Sequence, residues 1–263
     1  TERYLPTICS NYRSSTAYEP VTLYELEKDA AGKVFLSDSV VVSPNDFGDL
    51  APLHSGTLNV TATVGDTVHC VWFDNTSQKT EDHTDQYYTR YNRSTGEVSE
   101  PYYLGSTFGD WYGVNGDVPV DVHNGSVITV DRNKVLHVVL GAHHGQAKYV
   151  YSEDNGKSWS DPVDLPGGNS ANTYPAVITD RDNTVHLVYR WSEDGRRLGY
   201  SRKKEGQSWE DMGALVIPYW WGHGQYHHNL TVDRLGRLFI TYWYSATSSS
   251  GLPSDIQDEY DAK

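Results

Sequence analysis

The sequence predicts an all-β fold of β-propeller type, built from blades of four antiparallel strands. Short stretches of alternating apolar and polar residues are separated by turns rich in Asp, Asn and Gly, whereas helical periodicity is nearly absent. Three stretches of the chain are also nearly superimposable, and each of them contains two predicted strands. Repeats of about 40–50 residues with several strands in each unit are typical of propeller blades.

Each repeat is a strand that ends in an Asp-Arg turn and is followed by a second strand with alternating apolar residues. The copies are Ser126–Val139, Ala176–Tyr189 and Asn229–Tyr242, with a weaker one at Leu58–Trp72. The turn aspartates lie 49 and 53 residues apart, at Asp131, Asp180 and Asp233. We expect one propeller domain over residues 1–263, with roughly five blades visible, the first and last incomplete. Because an open blade edge would leave unpaired backbone groups, we expect that the C-terminal blades are missing from this chain.

A second turn signal follows the first within the same unit. Residues 152–159 read Ser-Glu-Asp-Asn-Gly-Lys-Ser-Trp, which fits the Asp-box pattern S-x-D-x-G-x-x-W at every fixed position. In this pattern the Ser and Asp side chains hold a hairpin turn, Gly supplies an unusual backbone angle and Trp packs beneath. A degenerate copy lies at Ser201–Trp209. We therefore interpret the Asp box as a structural turn.

Composition and charge exclude several classes of function. The chain has 21 Lys and Arg against 35 Asp and Glu, which gives a formal net charge of −14 and argues against nucleic acid as a partner. No run of 18 apolar residues is present, so we expect no membrane span. Two cysteines, Cys9 and Cys70, are too few for a disulfide scaffold. Cys70 lies in an apolar strand and we expect it to be free, although pairing with Cys9 stays open. We expect a monomer.

Histidines cluster at the ends of the predicted strands. His123 precedes one repeat strand, and His143 and His144 follow its partner, so a hairpin would bring these ends together at one face. His228 precedes the equivalent strand two blades later and should face the same mouth. The alternative for the His-Asn pairs is that they cap the blades by hydrogen bonding to the backbone. Two further histidines within repeat strands are interpreted as packing or cross-strand residues, namely His137 and His186.

The intervening blade carries different polar residues at the same ends. Tyr174 precedes its first strand and Arg190 ends its second, so the same hairpin argument makes them neighbours. A rim of His, Tyr and Arg has no carboxylate pair, which most glycosidases need. It suits proton abstraction beside a carboxylate that the substrate itself carries, as in β-elimination on a uronic acid. Arg can neutralise that carboxylate, while a neutral His or a Tyr moves the protons.

Taken together, these stretches resemble the propeller-type ulvan lyases, which have BNR repeats and seven blades and form polysaccharide lyase families 24 and 25. The resemblance covers about residues 116–244. It is carried by D-V-H-N at 121–124, G-A-H-H at 141–144, T-Y-P at 173–175, Y-R at 189–190 and Y-H-H-N at 226–229. The resemblance implies β-elimination at the uronic acid of ulvan, an acidic sulfated polysaccharide of green algae, which leaves an unsaturated uronate end.

The resemblance also implies roles for individual residues. The catalytic candidates are His123, His143, Tyr174 and Arg190. Of these we expect His123 to be the base, Tyr174 the acid and Arg190 the clamp for an acidic group, while His143 orients or assists. The candidate substrate contacts are Asn124, His144, Tyr189, Trp221, Tyr226 and His228.

The chemistry needs no cofactor, but members of this family hold metal ions in structural roles. A structural zinc or calcium ion is therefore expected, with His223 and His227 as candidate ligands. The resemblance further implies a secreted or periplasmic bacterial protein. Two other functions stay open, a carbohydrate-binding propeller without catalysis and a sialidase-like glycoside hydrolase, and a protein-interaction propeller is a more distant alternative. Trp221 would stack on sugar rings in a binding propeller, or pack between blades.

Overall fold

All regular structure in the computed structural model is β-strand, nineteen strands in the described residues. The described residues are 2–10, 20–43, 48–49, 59–74, 83–108, 124–143, 145–166, 171–191, 197–216 and 225–244. Within these ranges no helix is long and apolar enough to cross a bilayer.

The strands form five antiparallel sheets that follow one another along the chain. The first sheet contains β1 (Glu2–Ser10), β2 (Val21–Lys28) and β3 (Val34–Val41). The second contains β4 (Gly48–Asp49), β5 (Thr61–Val64), β6 (Thr67–Asp74), β7 (His83–Asn92), β8 (Glu97–Val98) and β9 (Tyr102–Phe108). The third contains β10 (Val127–Val130), β11 (Leu136–Leu140), β12 (Lys148–Ser152) and β13 (Val163–Asp164). The fourth contains β14 (Ala171–Thr179), β15 (Val185–Trp191), β16 (Leu198–Lys203) and β17 (Trp209–Val216), and the fifth β18 (Gln225–Val232) and β19 (Leu238–Tyr244).

Each complete sheet is a meander in which consecutive strands pair, which is the arrangement of a propeller blade. The third and fourth sheets have four strands in sequence order, and β5, β6, β7 and β9 form the same meander in the second. The structure therefore confirms the predicted all-β propeller with four-stranded blades.

The first strands of successive blades are joined to one another. The Ile128 amide of β10 donates to the Asn59 carbonyl, which lies just before β5, at 2.7 Å. Asn59 Nδ2 in turn donates to the Val177 carbonyl of β14 at 2.9 Å. Thr179 of β14 donates its hydroxyl to the Val130 carbonyl of β10 at 2.7 Å. These bonds tie three blades together along their inner strands.

The hydrophobic core lies between blades rather than within one of them. Four clusters of buried residues each combine side chains from two neighbouring sheets. One joins Val127 and Tyr149 of the third sheet to Leu187 and Tyr189 of the fourth. Face-to-face packing of sheets therefore supplies the apolar burial that stabilises the fold. Cys70 lies in one of these clusters as a free thiol, and burial raises its pKa.

The Asp-Arg turns are closed by their own aspartates. Asp131 Oδ1 accepts the amide of Val135 at 2.8 Å, and Asp180 Oδ1 accepts that of Thr184 at 2.9 Å. The third residue after each aspartate has a positive φ, which is 67° at Lys134 and 59° at Asn183. This left-handed step suits Asn183, whereas it is uncommon for a long side chain such as that of Lys134.

The turn at Ser152–Trp159 packs onto the preceding blade. The Ser158 hydroxyl donates to Asp154 Oδ2 at 2.6 Å, and the amides of Lys157 and Ser158 donate to Oδ1, both at 2.9 Å. These hydrogen bonds, the hydroxyl bond first, lower the pKa of Asp154 to about 2. Gly156 has φ +76°, and a Cβ there would lie 2.0 Å from the Tyr88 hydroxyl. Trp159 meets the edge of the Tyr88 ring at 4.8 Å between centroids. The turn is thus a contact between the second and third blades.

Three blades carry the same His–Tyr pair on neighbouring strands. Nδ1 of the histidine lies 2.6 Å from the tyrosine hydroxyl in two pairs and 2.8 Å in the third. The pairs are His69–Tyr88, His137–Tyr149 and His186–Tyr200. The rings are nearly parallel in each pair. The structure confirms that His137 and His186 are cross-strand residues.

Candidate active site

The candidate site lies at one end of the third, fourth and fifth sheets. At that end the chain enters β10 and β14, the first strands of their blades, and leaves β11 and β15, the second strands. Because each pair of strands is antiparallel, the residues before the first strand meet those after the second. Of the predicted site residues, Asn124 lies just before β10 and His143 just after β11. Tyr174, Arg190 and His228 lie within β14, β15 and β18 instead, near the same end.

In the third sheet, Asn124 and His143 lie at this end. The backbone of Gly141 approaches so closely that an added Cβ would lie 2.3 Å from the Gly125 carbonyl oxygen and 3.1 Å from the Asn124 carbonyl oxygen. This close approach continues the β10–β11 pairing beyond Leu140. His143 is anchored by its amide, which donates to the Phe108 carbonyl of β9 at 3.1 Å. The segment that carries His143 is therefore fixed by contacts to both the second and the third sheet.

Asn124 is fixed by a buried polar network from the second sheet. The side-chain Nδ2 of Asn124 donates to Thr84 Oγ1 at 2.6 Å, and the backbone carbonyl of Asn124 accepts from Gln86 Nε2 at 3.0 Å. Gln86 Oε1 accepts from the Ser126 hydroxyl at 2.6 Å. Sequence reasoning missed this network. The available signal was that Thr84 and Gln86 are polar at the inward positions of β7, where an apolar residue is usual.

In the fourth sheet, Tyr174 and Arg190 are neighbours, as the hairpin argument predicts. The Arg190 Cζ atom lies 4.3 Å from the centroid of the Tyr174 ring, within the range of a cation–π contact. Thr173 pairs with Arg190, and the β14–β15 register shifts between Thr173 and Ala176. Tyr174 lies in this bulge with φ 58°, a left-handed conformation that is rare for a residue other than glycine.

The fifth sheet contributes His228, which lies within β18 rather than before it. The β18–β19 register also shifts between Tyr226 and Asn229, which places His228 in a bulge like that of Tyr174. His228 Nε2 lies 2.5 Å from the Tyr174 carbonyl oxygen. Because a carbonyl oxygen can only accept, Nε2 carries the proton of this hydrogen bond. The contact joins the fourth and fifth blades at the candidate site.

The described side chains of the site are almost closed to solvent. The most exposed of them is His143 at 8%, and Arg190 is 2% exposed. Such burial strengthens electrostatic contacts, because water does not screen them. The other members of this buried set are Asn124, Tyr174 and His228.

The prediction that Tyr189 contacts substrate is wrong. Tyr189 is fully buried in the core between the third and fourth blades, and its hydroxyl lies 3.4 Å from Ser201 Oγ. Its ring lies against the Gly199 backbone, where an added Cβ would come within 2.7 Å of it. Successive residues of a strand point to opposite faces, so Tyr189 and Arg190 cannot both face the site. Tyr189 is a packing residue.

Several predicted site residues lie outside the described residues. They are His123, His144, Trp221 and His223. The side chains of Tyr226 and His227 lie outside them too, although both residues belong to β18. Their roles stay predictions. Within the described residues no group of three or more His, Cys, Asp or Glu side chains is placed to hold a metal ion.

A carboxylate pair that sequence reasoning missed lies at the same end of the second sheet. Asp74 ends β6 and is the cross-strand partner of Asp85 on β7, whose carboxylate accepts a hydrogen bond from the Ser106 hydroxyl. The pair shares a strand face with Trp72 and Tyr87, which pack against the first sheet. It therefore faces away from Asn124 and the third sheet.

A cleft of about 780 Å³ opens between the third and fourth blades at the other end of the strands. His137, Tyr151, Lys203 and Trp209 contribute to its lining. His137 lies near the start of β11, whereas the candidate site lies beyond its end. The cleft is thus separate from the candidate site.

Three solved structures with a similar fold are carbohydrate-active enzymes. An ulvan lyase of polysaccharide lyase family 25, bound to -[GlcA(1-4)Rha3S]-, is 14% identical with a TM-score of 0.57, and the match covers 74% of this chain and 47% of that one. The intramolecular trans-sialidase from Ruminococcus gnavus is 15% identical with a TM-score of 0.53, covering 86% and 47%. The α-L-arabinofuranosidase Arb93A from Fusarium graminearum is 12% identical with a TM-score of 0.52, covering 89% and 65%.

These similarities define the class, a β-propeller whose fold is shared with lyases, sialidases and glycosidases. The chain spans about half the length of the ulvan lyase and trans-sialidase structures. No curated protein sequence matches it. The model of the BNR repeat-containing family matches residues 101–257, more than half of the chain, and the protein belongs to that family.

Proposed function

We propose that this protein is a polysaccharide lyase that cleaves ulvan by β-elimination at its uronic acid. The pairing of Arg190 with Tyr174 carries the proposal, because it puts a planar cation beside a phenol at the end of one blade. A guanidinium can bind a carboxylate through two parallel hydrogen bonds. The adjacent hydroxyl would then lie near the glycosidic oxygen that leaves.

The reaction divides between a base and an acid. The base removes the proton at C5 of the uronate, and the electrons of that C–H bond form the double bond between C4 and C5. The bond between C4 and the glycosidic oxygen breaks, and this oxygen takes a proton from the acid. Charge develops on the substrate carboxylate as C5 loses its proton, so a cation fixed at that position stabilises the transition state.

We assign these steps to four residues. His123 is the base, Tyr174 the acid and Arg190 the clamp for the carboxylate or a neighbouring sulfate. His143 orients the substrate or assists the base, and it lies at the equivalent end of the neighbouring blade. The ulvan lyase of similar fold is bound to -[GlcA(1-4)Rha3S]-, and this supports a sulfated uronate polymer as substrate.

We also propose the setting in which the protein works. The chemistry needs no cofactor, and a zinc or calcium ion held with the help of His223 and His227 would have a structural role. A protein that degrades an extracellular algal polymer would be secreted or periplasmic, and we expect it to act as a monomer.

Two substitutions test the assignment with the fold kept intact. Tyr174→Phe keeps the ring that stacks on Arg190 and removes only the hydroxyl, so we expect kcat on ulvan to fall at least about 100-fold. Arg190→Lys replaces the planar fork by a point charge and should cause a comparable loss in kcat/KM. The rate is followed as ultraviolet absorbance of the unsaturated product. Tyr102→Phe, at an exposed tyrosine of β9, is the control. Wild-type rates in Tyr174→Phe would contradict the role of the hydroxyl.

A second candidate is glycoside hydrolysis, which the similarity in fold to a trans-sialidase and an α-L-arabinofuranosidase favours. Hydrolysis at two carboxylates would give saturated ends, whereas elimination gives an unsaturated uronate. Product analysis by NMR separates the two reactions. A propeller that only binds the polymer would retain it without forming either product.

A further inference from the structure

We propose that His228 is a positioning residue, which holds Tyr174 in the conformation that its hydroxyl needs as the acid. This inference rests on the proposed function of Tyr174. It differs from a direct role of His228 on substrate, because the contact seen runs through the Tyr174 backbone.

Tyr174 has a backbone conformation that needs support from outside its own strand. Its φ of 58° is rarely adopted by residues with a side chain, and a following proline restricts its backbone further. The bulge removes Tyr174 from the regular β14–β15 pairing. Unusual backbone conformations of this kind persist only where surrounding contacts hold them.

His228 supplies such a contact from the neighbouring blade. Its Nε2–H donates to the Tyr174 carbonyl at 2.5 Å, and both residues are buried. Loss of the imidazole would remove a buried hydrogen bond to that carbonyl, and water does not replace it there. The bulge in β18 aims His228 at Tyr174. When the fourth and fifth blades are aligned by their turn aspartates, His228 corresponds to Pro175, the residue after Tyr174. Matching bulges in adjacent blades thus meet at this bond.

The other end of Tyr174 is fixed by Arg190. The guanidinium lies over the ring, while His228 holds the backbone carbonyl. The two contacts together fix the direction from backbone to hydroxyl. If the carbonyl is released, the backbone can relax from its left-handed conformation and the phenol moves off the guanidinium. A displacement of about 1 Å in a reacting group can lower a rate about 100-fold.

The test compares two replacements of the same side chain. In His228→Gln the amide Nε2–H can donate where the imidazole did, whereas His228→Leu fills the space with no donor. We expect His228→Leu to lower kcat on ulvan about 100-fold with little change in KM, and His228→Gln to recover most of that loss with the wild-type pH profile. An equal loss in both variants, with one limb of the pH profile missing in His228→Gln, would overturn the proposal in favour of direct proton transfer. Wild-type rates in both would also overturn it.

Crystal structures of the two variants give a readout that does not depend on activity. We expect Tyr174 to keep its positive φ in His228→Gln and to lose it in His228→Leu, with the phenol displaced from Arg190. An unchanged Tyr174 in His228→Leu would contradict the positioning role, whatever the wild type cleaves. If wild type cleaves no uronate polymer, the proposed function fails while this comparison still decides the role of His228. Should His228→Leu not fold, His228→Asn, whose amide is too short to reach the carbonyl, replaces it.

Discussion

Among single residues, the buried histidines show how the environment decides a protonation state. His69 is fully buried in the second sheet, and Arg90 lies close enough to repel a positive charge on its ring. Burial first, and then Arg90, lower its pKa from the ordinary 6.5 to about 4. Nδ1 of the neutral ring shares a hydrogen bond with the Tyr88 hydroxyl at 2.6 Å. Folding therefore requires this imidazole to be neutral.

The free energy of unfolding should reflect that requirement. The unfolded chain takes up a proton at His69 near pH 6.5, but the folded protein does so only near pH 4. The contribution of His69 is thus complete above pH 6.5 and declines by about 3 kcal/mol on acidification to pH 4. We expect urea unfolding to show this decline in wild type relative to His69→Gln. Parallel pH dependences in the two proteins would show that folding does not lower the pKa of His69.

The positions of Tyr174 and Arg190 could be predicted as neighbours, because hairpin pairing alone brings a residue before one strand to a residue after the next. Their details could not be predicted. The positive φ of Tyr174 and the bond from His228 depend on two bulges, and a bulge has no firm sequence signal here. The opposite faces of Tyr189 and Arg190 were predictable from strand alternation.

Among the secondary-structure elements, the turn at Ser152–Trp159 shows why a glycine is required at one position. Gly156 combines φ +76° with a backbone that approaches the Tyr88 hydroxyl of the neighbouring blade. Gly206, in the degenerate copy of the turn, has φ +69° but nothing within 4 Å of an added Cβ. The two glycines thus share the backbone requirement and differ in their surroundings.

Alanine substitution at these two glycines separates the cost of a left-handed backbone from the cost of a steric clash with Tyr88. Gly206→Ala should destabilise the protein by about 1 kcal/mol, because only the left-handed conformation is penalised. Gly156→Ala should cost about 2 kcal/mol more, since the added methyl group forces Tyr88 to shift. Urea unfolding of both variants measures the difference. Equal losses would mean that the Tyr88 side chain yields freely and that the turn does not lock the two blades.

The repeats predicted the strands well, because the same alternation and the same turn aspartate recur in each blade. The turn residues were predictable for a local reason, since an aspartate can close a hairpin with its own neighbours. The polar network at Gln86 was not predicted, because its partners come from two blades that are distant in sequence.

In the whole molecule, the contacts that stabilise the fold and those that place the proposed site residues lie at the same junctions between blades. The hydrophobic clusters lie between neighbouring sheets, and so do the contacts that place Asn124 and Tyr174. The repeat period predicted a propeller but could not predict which polar side chains would cross a junction. Because the chain has a net charge of −14, it repels an acidic polymer at long range. Binding of the polymer proposed as substrate would therefore depend on local cations such as Arg190.

Whether the protein is a lyase is decided by ultraviolet absorbance during incubation of the purified protein with ulvan, with pectin, alginate and heparan sulfate as parallel polymers. We expect absorbance to rise with ulvan alone, because elimination creates a double bond conjugated to the uronate carboxylate. Depolymerisation of ulvan without that rise, and with saturated ends, would contradict elimination and assign the protein to the hydrolases.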